Sequence, residues 1–163
     1  IGDKPVTVLK INKTNKKFHA RHNAKKRTYR YLIVNRQSPL ALQKNKAWHI
    51  RKKLNLKAMK KGAQFLLGTH DFSTFRAASC GAKSPVKTME KILIKKTKDT
   101  IVLQFTSRSF LQQQVRSMVG CLKYLGEGKW NLDDFIKSFK SKSRIKCAPP
   151  APPSGLYLVK IEY

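Results

Sequence analysis

Residues 18–34 read FHARHNAKKRTYRYLIV, a basic run that turns apolar with two tyrosines at the junction. From Arg27 to Val34 the pattern has a period of two. Tyr29, Tyr31 and Ile33 share one face; Thr28, Arg30, Leu32 and Val34 share the other. The stretch predicts a strand half sunk in a core, with Arg27, Tyr29 and Arg30 where that core meets solvent. Two readings of RTYRY stay open on the residues alone. The tyrosines can be edge-strand rings with wet hydroxyls. Alternatively, a ring stacks a base while the flanking guanidiniums hold phosphates.

The elements around it follow from similar patterns. VTVLKI (6–11) alternates and is β-branched, predicting a short strand. Residues 35–53, with Pro39 and many basic residues, read as a loop. Asn55 is placed as a helix N-cap. Leu56, Met59, Ala63, Leu66 and Leu67 follow at helical spacing, with Lys57, Lys60 and Lys61 outward and Gly68 as the stop. GTHDFSTFRAASCGAKSPVKT (68–88) reads as a long functional loop. MEKILIKK (89–96) and TIVLQFT (100–106) predict a hairpin.

A helix comes next, with an apolar stripe of Leu111, Val115, Met118, Leu122 and Leu125. Gln112, Arg116, Gly120 and Lys123 form its polar stripe. Asn131 caps a last helix, with Asp134 where a carboxylate favours the helix start. CAPPAPPSG (147–155) is a stiff connector into a final strand, LYLVKIEY. The order predicts an α+β fold: a predominantly antiparallel sheet with helices packed on one face, in a single domain over 1–163.

Charge narrows the partners. Lys and Arg number 36 against 8 Asp and Glu, a formal net charge of +28, with no acidic residue between Asp3 and Asp71. Such a surface repels itself unless a polyanion covers it. No apolar run approaches membrane-span length, and the first residues lack a signal peptide's apolar stretch. Nucleic acid is therefore the expected partner, with salt-dependent affinity; the bland alternative is a merely solvated basic surface. Cys80, Cys121 and Cys147 are odd in number and far apart, which points to a reducing cytoplasm rather than a disulfide framework. They show no metal-site spacing with His19, His22, His49 or His70.

Two further motifs carry alternatives. Arg116 sits among Val115, Met118 and Val119. It either lays its stem over apolar surface with its head in water, or presents a guanidinium at a cleft to a carboxylate or phosphate. HDFSTF (70–75) either pairs a nucleophile with a base or forms a turn in which Asp71 bonds nearby backbone amides.

Taken together, FHAR, R-x-Y-R-Y, LLGTHDFSTF, SPVKT, SFLxxxVRSMVG, LG-x-GKW and APPSGLYL occur in the order found in TruA-type tRNA pseudouridine synthases. The resemblance runs from Phe18 to Tyr163, and seven motifs in order are specific where one alone is weak. It implies isomerisation of uridine to pseudouridine in the anticodon stem-loop of tRNA, at positions 38–40, without cofactor or metal. It implies an aspartate acting as nucleophile or base, with Tyr29 stacking on the target base. Arg116 matches the basic residue that pairs with that aspartate, and Leu156 the apolar wall of the base pocket. The expected RNA-binding set is Arg21, Lys25, Lys26, Arg27, Arg30 and Arg76.

There are two departures. The family's G-R-T-D-x-G-V-H-A segment, which carries the aspartate, does not occur: none of Asp3, Asp71, Asp99, Asp133 or Asp134 follows R-T. Gln112, Gln113 and Gln114 stand where the family usually has histidines. The match begins where the family's second half begins, and the first residue is Ile1. The expectation is a C-terminal half, inactive alone, whose partner is a missing N-terminal domain and which forms a homodimer in the full-length protein. The alternative is a stand-alone basic RNA-binding module; a DNA architectural protein has only the charge in its favour.

Overall fold

The computed structural model of the chain describes residue 2 and residues 5–163. Its centre is β1 (Lys26–Asn35), the strand predicted from RTYRYLIV. The pleat puts Tyr31 and Ile33 fully inside, at 0% exposure, while Arg30 is exposed on the opposite face. One side of β1 pairs antiparallel with β5 (Thr100–Ser107), and β5 pairs with β4 (Val86–Thr97) as the expected hairpin. β4 in turn carries β3 (Gly68–Asp71).

The other side of β1 is shared. Its first half pairs antiparallel with β6 (Leu156–Glu162), its second half parallel with β2 (Trp48–Ile50). Helices α1 (Leu56–Gln64), α2 (Gln114–Gly126) and α3 (Leu132–Lys140) contact one another over the Tyr31–Ile33 side of the sheet. Tyr31, Phe72, Phe75, Phe105, Phe135 and Met118 fill the space between. The α+β prediction holds, as one mostly antiparallel sheet with helices on one face. No helix among the described residues is long and apolar enough to cross a membrane.

The local signals behind the helices are present. Asn55 accepts from Ala58 N at 3.1 Å. Asn131 and Asp134 form a reciprocal capping box, at 2.8 and 3.1 Å. The Asx reading of HDFSTF is also the observed one: Asp71 Oδ1 accepts from Ser73 N at 2.9 Å. Phe72 and Phe75 are buried there, and Thr74 Oγ1 donates to the carbonyls of Ser138 and Phe139 at the end of α3.

Four expectations need correction. VTVLKI is not a strand: Leu9 and Ile11 are 93% and 86% exposed, and alternation without a neighbour to pair with does not make a ladder. Residues 35–53 include β2, held by Asn35, whose Nδ2 donates to Ile50 O and Lys52 O while its Oδ1 accepts from Leu54 N. Residues 68–88 include β3; α1 ends at Gln64, and Gly68, at φ +94°, opens the strand instead of stopping the helix. The second predicted helix begins at Gln114, not at Leu111, because Gln113 is left-handed, at φ 62°.

Candidate active site

Tyr29 lies on the helix side of β1, two residues before the fully buried Tyr31. It is half-buried and packs edge-to-face on Phe110, with centroids 5.1 Å apart. This contact orients the ring at a cleft mouth.

Arg116 sits in the first turn of α2. Its Nε donates to Ala151 O at 2.6 Å, and Ala151 N donates back to Arg116 O at 3.0 Å. That two-point clamp fixes the Pro-rich segment against the helix. Gly120, one turn on, lets the segment in: a Cβ there would stand 2.1 Å from Pro149 O. The segment then delivers Tyr31's partner, Pro152 O, at 2.6 Å. It continues to Gly155, where a Cβ would meet the Tyr31 ring at 2.8 Å. Leu156 follows as the first residue of β6, opposite Tyr31. Burial pushes the Tyr31 phenol far above its ordinary value, against the opposing charge of Arg116, so it is a structural donor.

These elements enclose a cleft of about 500 Å³, lined by Tyr29, Phe110, Gln114, Arg116 and Leu156 and by the Cys80–Ala82 loop. No carboxylate among the described residues lines it. Arg21 stands at its edge and also lines an adjoining groove of about 530 Å³ with His22, Arg27, Lys87 and Arg108.

The expected RNA-binding residues separate into groups. Arg21 faces the cleft and groove. Arg27 is half-buried, and its guanidinium is committed to Arg108 O and Arg21 O, so it braces the groove's loops. Arg76 braces the cleft loop, donating to Cys80 O at 2.6 Å and Ala82 O at 2.8 Å. Lys25 is exposed beside the end of β6, its N donating to Glu162 O. Lys26 and Arg30 lie across the sheet from Tyr29, in a groove with Lys91 and Lys160. There Lys26 pairs with Glu90 at 2.8 Å, which raises its pKa first through that hydrogen bond and then through the charge.

Three lining groups lie outside the expected site residues: Phe110, Gln114, which the sequence marked only as standing where the family usually has histidines, and Lys87 with Arg108. Phe110 was within reach, because it stands in the SFLxxxVRSMVG stretch that carries Arg116. Lys87 and Arg108 line one groove because Met89 of β4 pairs with Ser107 of β5, a long-range pairing that their sequence neighbours do not announce.

A family model described as tRNA pseudouridine synthase matches residues 63–163, which include Arg116 and Leu156. The chain is 60% identical to tRNA pseudouridine synthase A of Pelagibacter ubique over 163 residues, all of this chain and 66% of the relative. It is 47% identical to tRNA pseudouridine synthase A of Xanthobacter autotrophicus over 159 residues, 98% of this chain and 65% of the relative. It is 43% identical to that of Brucella ovis over 163 residues, all of this chain and 65% of the relative. Tyr29 lies ahead of the model match but inside all three alignments. The chain spans just under two thirds of the length of these relatives. With the motif order, the sheet and the cleft in agreement, the chain belongs to the tRNA pseudouridine synthase family.

Proposed function

We propose that this chain forms one wall of a uridine pocket in an enzyme that converts uridine to pseudouridine in the tRNA anticodon arm, at positions 38–40. A base taken out of its stack needs a ring to stack on and a dry wall. Tyr29 supplies the ring, Leu156 the wall and Arg116 the charge that holds a carboxylate. That carboxylate is an aspartate on a segment outside this sequence. It frees C1′ by breaking the N1–C1′ bond. The uracil turns over, C5 bonds to C1′, the C5 proton leaves to solvent and N1 gains one.

The observation that supports this reading is the convergence of Tyr29, Arg116 and Leu156, from two strands and a helix, on one cleft without a carboxylate among its described lining. Arg21 and the neighbouring groove hold phosphates. The full-length protein works as a homodimer in the cytoplasm. The chain alone binds tRNA and releases no tritium from [5-³H]uridine tRNA; joined to the aspartate-bearing domain it releases one tritium per pseudouridine. Release by the chain alone at an enzyme-like rate would refute the assignment of the aspartate to another segment.

The charge of +28 favours a second reading, a basic RNA-binding module without catalysis. In that case Arg116→Ala weakens tRNA binding no more than a surface lysine change does. Loss of turnover in the two-domain enzyme with tRNA binding retained excludes the module.

A further inference from the structure

Gln114 opens α2 and is fully buried, at 0% exposure, in the wall of the cleft. Its orientation is set from behind. Leu111 N donates to Oε1 at 2.8 Å, and only the oxygen of an amide can accept that proton. The NH2 end is therefore the free end. Nε2 has no hydrogen-bond partner, and it is the one buried side-chain nitrogen or oxygen of this kind among the described residues. A buried donor without an acceptor is costly. Methionine or leucine would fill this site beside Leu111 and Val115 without that cost. The donor makes sense where an acceptor arrives with a ligand.

Resting on the uridine reading of the cleft, we infer that Gln114 Nε2 is the donor that recognises a uracil carbonyl. Uracil presents acceptors at O2 and O4, whereas cytosine carries an amino donor at C4. A fixed amide N–H facing the C4 substituent accepts uracil and opposes cytosine, because two donors are then left facing each other. The same donor suits the reaction. When uracil turns over to exchange N1 for C5 at the ribose, O2 and O4 exchange places, so an acceptor stands before Gln114 both before and after the turn. Gln114 is thus a recognition group that stays engaged while the glycosidic bond moves. It forms no covalent bond.

The test uses the ¹⁵N-labelled chain, with the Gln114 side-chain amide assigned by its loss in Gln114→Met. Methionine keeps the volume and removes the donor. Uridine 5′-monophosphate and cytidine 5′-monophosphate are titrated separately. The expected result is a shift of the Gln114 NH2 signals with uridine 5′-monophosphate and an affinity about tenfold weaker for the cytidine nucleotide, the worth of one good hydrogen bond. In Gln114→Met the two affinities converge while backbone signals away from the cleft keep their positions. Retention of the preference in Gln114→Met overturns the inference. So does a uridine titration that moves Tyr29 and Arg116 but leaves the Gln114 amide in place. If none of the three moves, the uridine reading of the cleft fails and the inference with it.

Discussion

Replacing Gly120 by alanine is the sharpest probe of how the cleft is held. In a helix interior the change alone favours the helix by about 1 kcal/mol. Here the new Cβ would stand 2.1 Å from Pro149 O and 3.2 Å from Pro149 C, both backbone atoms that cannot rotate away. The Pro-rich segment must retreat from α2 by about 1 Å, and overpacking of this kind costs about 1–3 kcal/mol. The retreat also breaks the two bonds between Arg116 and Ala151, worth about 1 kcal/mol each. The net loss is about 2–4 kcal/mol. At roughly 2–4 °C per kcal/mol for a chain of this size, the Tm falls by roughly 4–16 °C. The assay is thermal unfolding by circular dichroism, with nucleotide binding measured well below the transition. Binding should weaken as well, because Arg116 loses its brace. An unchanged or raised Tm would refute the reasoning, since helix propensity would then outweigh the clash with Pro149.

Three other outcomes are expected. Tyr31→Phe removes the donor to Pro152 O from a fully buried site and should cost about 1–3 kcal/mol in urea unfolding with an unchanged m-value. Asn131→Ala removes one half of the α3 capping box and should cost about 1 kcal/mol in the same assay. Asp71 is held below its ordinary value of 3.8, first by the Ser73 side chain and then by the Ser73 N–H and Lys142. A carboxylate lowered in the folded state stabilises fully above its unfolded pKa and loses that contribution as pH falls through the folded one. The stability gap between the parent chain and Asp71→Asn should therefore be constant at neutral pH and shrink below about pH 4; a gap that widens on acidification contradicts this.

Much of the fold was legible because its signals are local. The period of two from Arg27 to Val34 names β1 and its buried face without reference to anything else. Asn55 and Asn131 announce helix starts by chemistry that acts within four residues. What was not legible depends on partners distant in sequence. VTVLKI and WHI have comparable strand character, but only Trp48–Ile50 finds a neighbour, because buried Asn35 ties down residues 50–54 next to β1. The site shows the same division. Tyr29, Arg116 and Leu156 were named together and do meet in one cleft. Arg27, Arg30 and Lys26 were grouped by adjacency along the chain, yet the pleat sends Arg30 and Lys26 to the opposite face from Tyr29. Arg27's commitment to two carbonyls depends on loops around Arg21 and Arg108 that no local pattern specifies. Gln114 stood out only as a departure from the family's histidines, because its burial depends on packing that no local pattern specifies.

The most direct test of the proposed uridine pocket is a photo-crosslink. An anticodon stem-loop RNA with 4-thiouridine in place of the target uridine is irradiated with the chain, and the joined residue is mapped by mass spectrometry. The account predicts attachment at Tyr29, Phe110 or Leu156, suppressed by excess uridine stem-loop. Attachment confined to the opposite sheet face, at Arg30, Lys91 or Lys160, would contradict it.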